Sequence, residues 1–282
     1  MWLPALIKVL TASTTLRHII RTDLIKMMRL VLHRRDIFLL LSLLCLCSEK
    51  QKISPETVRI VKPVIINSVP HDSTAFTQGL LFRDGKLFES TGMVGQSTIR
   101  IVNTNGMVER KKSLPEVFAE GCAFFKGLLY QITWTEQTCI VYNADLIILN
   151  TISYRGQGWG LTADSNSLIM SNGSDTLNFR DQNFKSIRKL PVTLNGKPLK
   201  NLNELEYADG KILANVWFSD FIYEISPQTG KVLKIIDCTE LVDIEKPQSE
   251  DNVLNGIAFI PTESHFFLTG KNWKNMFLVK IP

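Results

Sequence analysis

Histidine and cysteine are scarce in this 282-residue chain, which carries four of the first and five of the second. Beyond residue 47 only His71 and His265 remain, so a histidine-rich metal site is excluded there. The three cysteines of that region, Cys122, Cys139 and Cys238, include no C-x-x-C pair, which removes zinc ribbons and redox dithiols. Being odd in number they cannot all pair internally; they read as buried free thiols, with a Cys122–Cys139 bridge as the alternative in an exported protein. Sustained helical periodicity is missing, and so is any apolar run near the roughly 20 residues needed to span a bilayer. Net charge is missing from the body as well. Seven of the 32 Lys and Arg and two of the 27 Asp and Glu fall in residues 1–47, leaving 25 of each sign in the remainder. The formal charge of +5 therefore belongs to the N-terminal segment, and the body has no electrostatic case for binding nucleic acid.

That segment has its own pattern. Residues 37–47, IFLLLSLLCLC, form an eleven-residue apolar run preceded by His33-Arg34-Arg35 and followed by Ser48-Glu49-Lys50-Gln51. A basic flank, a short apolar stretch and a polar exit are the parts of an export signal. A core helix would instead show an amphipathic stripe, which the run lacks. The expectation is a leader at 1–47, with Met27-Met28 as an alternative start, then a linker at 48–63. The protein is expected to be exported, as a periplasmic, cell-envelope or secreted monomer. Its only membrane attachment would be a lipid anchor on Cys45 or Cys47. Leu46 precedes Cys47 where acylation favours a small residue, so export without acylation is the leading expectation.

From residue 64 the chain reads as short β-strands, with alternating apolar residues broken by Asp-Gly, Lys-Gly and Ser-Asn turns. Five segments share one plan: a polar or aromatic residue, usually a glycine, an apolar strand, a tight turn and a second strand. They are QGLLFRDGKLFES, EGCAFFKGLLYQITW, WGLTADSNSLIMSNG, NELEYADGKILANVW and NGIAFIPTESHFFLTGKNW. Their second residues are 42, 39, 44 and 52 positions apart. An all-β repeat of that length matches one four-stranded propeller blade, so residues 64–282 are expected to form an all-β, five-bladed β-propeller. Equivalent positions in a propeller fall at one radius and height. The openings Gln78, Glu120, Trp159, Asn203 and Asn255 therefore form a ring, and their glycines allow backbones to crowd near the axis. A purely structural ring would repeat one residue type; this one varies, which points to a site. Glu120 stands out, because a carboxylate in an apolar strand is costly unless it is used.

The run Pro70-His71-Asp72-Ser73-Thr74-Ala75-Phe76-Thr77-Gln78-Gly79-Leu80 resembles the opening motif of the plant and bacterial glutaminyl cyclases, also called glutamine cyclotransferases. Further matches follow in family order. They are Ala119-Glu120-Gly121, Trp134, Gly158-Trp159-Gly160-Leu161, Ser171-Asn172-Gly173-Ser174 and Leu202-Asn203-Glu204-Leu205-Glu206-Tyr207. Asn215-Val216-Trp217, Leu254-Asn255-Gly256-Ile257-Ala258 and Gly270-Lys271-Asn272-Trp273 complete the series. Asn172 departs from a frequent Asp, and Cys122 is unusual after the Glu-Gly pair. The resemblance implies a five-bladed propeller that converts the N-terminal glutamine of peptides or proteins into pyroglutamate with release of ammonia. It also implies Glu120 as the acid/base and Phe76, Gln78, Trp134, Trp159, Asn203, Trp217 and Lys271 around the substrate. No cofactor or metal is expected to take part in the chemistry, while a structural divalent ion is compatible with it.

That chemistry fits the residue types. Attack of the α-amine on the side-chain carboxamide is intramolecular, so the protein need only fold the glutamine and move protons. One carboxyl tuned towards neutrality can do both transfers. Indole faces pack methylenes and favour a nearby ammonium, and Asn203, Gln78, Lys271 or an indole N–H could stabilise the oxyanion. Two other readings use the same residues. One is a calcium-dependent propeller lactonase or hydrolase with oxygen ligands from Glu120, Asn203 and Asn255; the other is a non-catalytic peptide-binding propeller. His71-Asp72 reads as a turn with a side-chain cap, and Trp273 as core.

Overall fold

A computed structural model of the protein describes residues 57–282. The leader at 1–47, with the expected export signal and Cys45 and Cys47, lies outside the described residues, as do residues 48–56 of the linker. Strands β1 (Arg59–Val61) and β2 (Val64–Pro70) come first. Blade I is β3 (Thr77–Arg83), β4 (Lys86–Thr91), β5 (Thr98–Val102) and β6 (Val108–Ser113). Blade II is β7 (Ala119–Phe125), β8 (Leu128–Thr133), β9 (Thr138–Tyr142) and β10 (Ile148–Ser153). Blade III is β11 (Leu161–Ala163), β12 (Leu168–Met170), β13 (Thr176–Arg180) and β14 (Ser186–Pro191). A hairpin of β15 (Thr193–Leu194) and β16 (Lys197–Pro198) leads to blade IV, β17 (Leu202–Ala208), β18 (Lys211–Val216), β19 (Phe221–Ile225) and β20 (Val232–Asp237). Helix α1 (Thr239–Glu245) precedes blade V, β21 (Leu254–Ile260), β22 (His265–Gly270) and β23 (Asn275–Lys280).

Each blade is an antiparallel meander, and the five arise from the repeats read in the sequence. The Asp84-Gly85, Lys126-Gly127 and Asp209-Gly210 turns have positive φ at both residues, the conformation a two-residue hairpin needs to match strand twist. At Ser165-Asn166 the turn is made differently: Asp164 Oδ1 accepts the backbone N–H groups of Asn166 and Ser167, both at 2.7 Å. Closure of the ring is nonlocal. β2 pairs antiparallel with β23 and becomes the outer strand of blade V, so the two ends of the domain share one sheet. β1, which falls inside the stretch read as linker, adds to blade IV in parallel with β20.

Five apolar clusters hold the blades together, one at each interface. Ile99 of blade I packs with Leu129 of blade II, Ile132 with Leu168, Leu177 with Leu205, Ile222 with Leu268, and Leu87 with Ala258 across the closure. The inner strands are buried on both faces, which is why they read as nearly continuous apolar runs, while β6 and β10, the outermost strands of their blades, are mostly exposed. Near the axis the backbones touch. A Cβ on Gly160 would lie 2.0 Å from Asn203 O, and one on Gly121 would lie 2.3 Å from Leu161 N. Glycine at these openings is therefore a packing requirement. Cys122, Cys139 and Cys238 are buried free thiols, so the Cys122–Cys139 bridge is not formed. Trp273 is fully buried, and its indole N–H donates to Asn252 O at 2.8 Å.

Candidate active site

The ring openings are the places where strand pairing breaks. Register shifts fall between Thr77 and Gly79, Ala119 and Cys122, Leu202 and Leu205, and Leu254 and Ile257. A β-bulge re-aims a side chain that regular pleating would bury between sheets. Here the bulges bring Gln78, Glu120 and Asn203 to one cavity of about 180 Å³ at the axis. Trp159 joins them from the turn before β11. A dry cavity of about 150 Å³ takes a benzene ring, so this volume suits one five-membered ring and its substituents. The other walls come from the ends of second strands, which lie at the same face: Trp134 after β8, Trp217 after β18 and Lys271 after β22. Phe76 enters from the turn before β3. All eight site residues expected from the sequence thus line one cavity. Asn255, the fifth opening, does not line it; its Nδ2 donates to Thr77 O at 2.9 Å and Gln78 Oε1 at 3.2 Å, fixing the neighbouring Gln78.

Two lining residues were not singled out in the sequence. Phe118 stands two positions before Glu120, as Phe76 stands two before Gln78, so the repeat itself carried the signal. Asp251 comes from the turn ahead of β21, where no repeat position marks it. The aromatic rings form an arc. Phe76 meets Phe118 edge-on at 6.2 Å between centroids, Phe118 meets Trp134 at 5.6 Å, Trp159 meets Trp217 at 5.5 Å, and Phe218 stacks on Trp217 at 4.5 Å. A third residue missed by sequence reasoning, Gln157, joins the two halves: its Oε1 accepts the indole N–H of Trp134 at 3.1 Å and that of Trp159 at 3.2 Å. Those two donors are engaged, which leaves the Trp217 indole N–H as the free one among the described residues. Gly173 lies under the Trp159 ring, where a Cβ would come within 2.7 Å of it. Asn172, at the position often held by Asp, accepts Ser174 Oγ at 2.6 Å and Ser174 N at 3.2 Å through Oδ1. The amide oxygen does here what a carboxylate oxygen would do.

Glu120 sits at the floor. Its main chain is fixed by Ser90 Oγ, which donates to Glu120 O and accepts Gln131 Nε2 at 2.7 Å; Tyr142 in turn donates to Gln131 Oε1 at 2.7 Å. Blade III repeats the device, with Ser171 Oγ donating to Asn203 O at 2.6 Å. By contrast the Glu120 carboxyl is bare: Oε2 is buried with no hydrogen-bond partner among the described residues. Burial pushes its pKa well above the usual carboxylate range, Lys271 pulls it down, and Glu136 pushes it up again. Lys271 is itself buried and its pKa is lowered by desolvation, against the pull of Glu120 and Asp251. Its Nζ lies 4.8 Å from the centroid of the Phe76 ring, a cation–π contact. The expected turn at His71-Asp72 is present, with Asp72 Oδ1 accepting Thr74 N at 3.0 Å. His71 is more than part of that turn, because its ring is buried between Glu89 Oε1 and Trp273 O, 2.8 Å from each.

Comparison with known proteins agrees with this arrangement. Residues 38–281 match the family model described as glutamine cyclotransferase. The chain is 36% identical over 233 residues to a glutaminyl-peptide cyclotransferase of Arabidopsis thaliana, covering 79% of this chain and 72% of that protein. It superposes on the crystal structure of Myxococcus xanthus glutaminyl cyclase with a TM-score of 0.75 and 38% identity, covering 80% of this chain and 98% of that one. With its five blades, its ring of openings and its aromatic cavity around a buried glutamate, the chain belongs to the glutamine cyclotransferase family.

Proposed function

We propose that the protein cyclises the N-terminal glutamine of peptides or proteins to pyroglutamate and releases ammonia, with Glu120 as the single proton carrier. The observation that carries the assignment of Glu120 is its buried, unpartnered carboxyl on the floor of a cavity sized for one small ring. In the empty cavity burial favours the protonated acid. An incoming α-ammonium supplies the cation that favours the carboxylate, so Glu120 releases its own proton to solvent and then takes one from the ammonium, which frees the amine. The amine nitrogen then bonds to the carboxamide carbon, and the carbonyl π pair moves to oxygen. Glu120 gives its proton to the departing nitrogen, the C–N bond breaks and NH₃ leaves as the carbonyl re-forms. The ring nitrogen returns its extra proton to the carboxylate, which restores the starting acid.

Donors for the oxyanion are the Gln78 amide N–H₂, whose oxygen is held by Asn255, the Asn203 amide and the Trp217 N–H. Lys271, whose pKa is lowered by burial against the pull of Glu120 and Asp251, holds the substrate's main-chain carbonyl or its developing charge. Trp159 and Trp217 pack the glutamine methylenes, and Phe76, Phe118 and Trp134 close the other side. Export from the cytoplasm as a monomer, directed by the leader, is part of the proposal; sequencing the mature N-terminus tests the cleavage. The activity test is ammonia release from a peptide beginning with Gln. Glu120→Gln is expected to lower kcat by 10²- to 10⁴-fold with an unchanged circular dichroism spectrum. Full turnover by that variant would refute the assignment of Glu120, and binding of Gln-peptides without any ammonia would return the non-catalytic reading.

A further inference from the structure

A substrate whose first residue is closing into a ring can leave the cavity only through its carbonyl, so the rest of the peptide must cross the rim. The rim is built from five equivalent connections between the second and third strand of each blade. They lie at the site's face because Thr91, Thr133, Val216 and Gly270 end strands opposite Thr77, Ala119, Leu202 and Leu254. The second residue beyond the strand end is Met93, Thr135, Phe218 and Asn272 in blades I, II, IV and V, and in blade III the third residue beyond β12 is Gly173. Four of these have left-handed backbone, with φ of 82°, 77°, 63° and 57° for Met93, Gly173, Phe218 and Asn272. Glycine and asparagine take that conformation readily, whereas a bulky side chain is disfavoured there.

Methionine and phenylalanine are thus placed where the backbone disfavours them, and burial does not offset the cost. Phe218 is 58% exposed, Met93 42% and its neighbour Val94 64%. Strain kept at exposed positions beside a cavity is a mark of use. The two tips are continuous with the site: Phe218 stacks on Trp217, and Gly92, next to Met93, lies against Phe118 and Gln78. Blade V presents charge instead, through Asp251 and Lys271.

We propose that Phe218 and the Met93–Val94 tip form an apolar second site, which seats the side chains of the two residues after the N-terminal glutamine and selects apolar ones. This rests on the cavity being where glutamine is cyclised. Half-burying a leucine-sized side chain on such a rim corresponds to about five- to tenfold in kcat/KM. The test compares Gln-Leu-Leu-amide with Gln-Ser-Ser-amide for the wild-type protein, Phe218→Ser and Val94→Ser. The wild type is expected to favour the leucine peptide by that factor, and the ratio is expected to fall towards one in either variant or both. Using a ratio cancels any general loss of turnover, and both side chains are too exposed to be needed for folding. A wild-type ratio near one, or a ratio unchanged in both variants, overturns the rim. The same outcome leaves the cavity intact if Glu120→Gln is inactive on both peptides. Conversely, an active Glu120→Gln variant with a rim-dependent ratio would place the selection here and move the proton carrier elsewhere.

Discussion

Glu120 is governed by what surrounds it rather than by what it bonds to, and one neighbour can be removed cleanly. Glu136 accepts the Phe118 backbone N–H at 3.1 Å through Oε1, while its Oε2 is buried without a partner among the described residues. Its charge adds to the burial that raises the Glu120 pKa. Glu136→Gln keeps an oxygen acceptor for Phe118 and removes the charge. Ionisation of Glu120 then becomes easier, so its pKa falls. In the pH profile of kcat/KM the limb set by Glu120 is expected to move to lower pH. The limb set by the substrate's α-amine, whose ordinary pKa is about 7.7–8.0, stays in place. Superimposable profiles would show that the charge does not reach Glu120. At this scale the sequence was most informative where a residue type conflicts with its strand, as a carboxylate does in an apolar run. It was silent about Gln157 and Asp251, because a polar residue in a turn conflicts with nothing.

Strands and turns separate two uses of glycine that look identical in sequence. Gly85 has φ of 78° and open space where a Cβ would go, so it is needed only for conformation. Gly160 has no unusual φ, but a Cβ there would meet Asn203 O at 2.0 Å, backbone that cannot swing aside. Gly85→Ala is expected to cost about 1 kcal/mol. Gly160→Ala must part blades III and IV and is expected to cost more than about 3 kcal/mol. Urea denaturation of the two variants checks the order, and equal losses would contradict the packing role. The repeat made both glycines visible, and the hairpins were legible because turn residues and alternation are local signals. The pairing of β2 with β23 and of β1 with β20 was not, since nothing local in VIINSVP or RIV names a partner about 200 residues away. The bulges were also hidden, although they explain why Gln78 and Asn203 face the axis.

The propeller as a whole contains buried ionisable groups whose pH dependences can be added. Inside the ring Glu206 is buried and accepts Phe259 N at 2.9 Å, and burial pushes its pKa up to about 8 from an ordinary 4.5. Glu204, fully buried beside it, is raised as well, by burial and by Glu206. A carboxyl whose folded pKa is raised destabilises the fold above its unfolded pKa. Stability therefore falls as pH climbs from about 4.5 towards 8, by a few kcal/mol at most for such a group. At the closure of blades V and I the signs differ. Burial opposes the charge on His71, but Glu89 and the Trp273 carbonyl outweigh it and raise its pKa; the same attraction, with Arg100 and Thr77, lowers that of Glu89 against burial. The His71 contribution is complete below about pH 6.5 and lost as pH rises through the folded value. The Glu89 contribution is complete above about pH 4.5 and lost as pH falls through its folded value. Both pairs of groups therefore favour the same window, and the melting temperature is expected to peak near pH 5 and decline towards pH 9. Glu206→Gln is expected to flatten the decline between pH 5 and 8. His71→Gln removes its part only above about pH 6.5, and lowers Tm at every acidic pH by breaking the bond to Glu89. A wild-type Tm that rises steadily from pH 5 to 8 would show that the channel carboxylates are ionised at little cost.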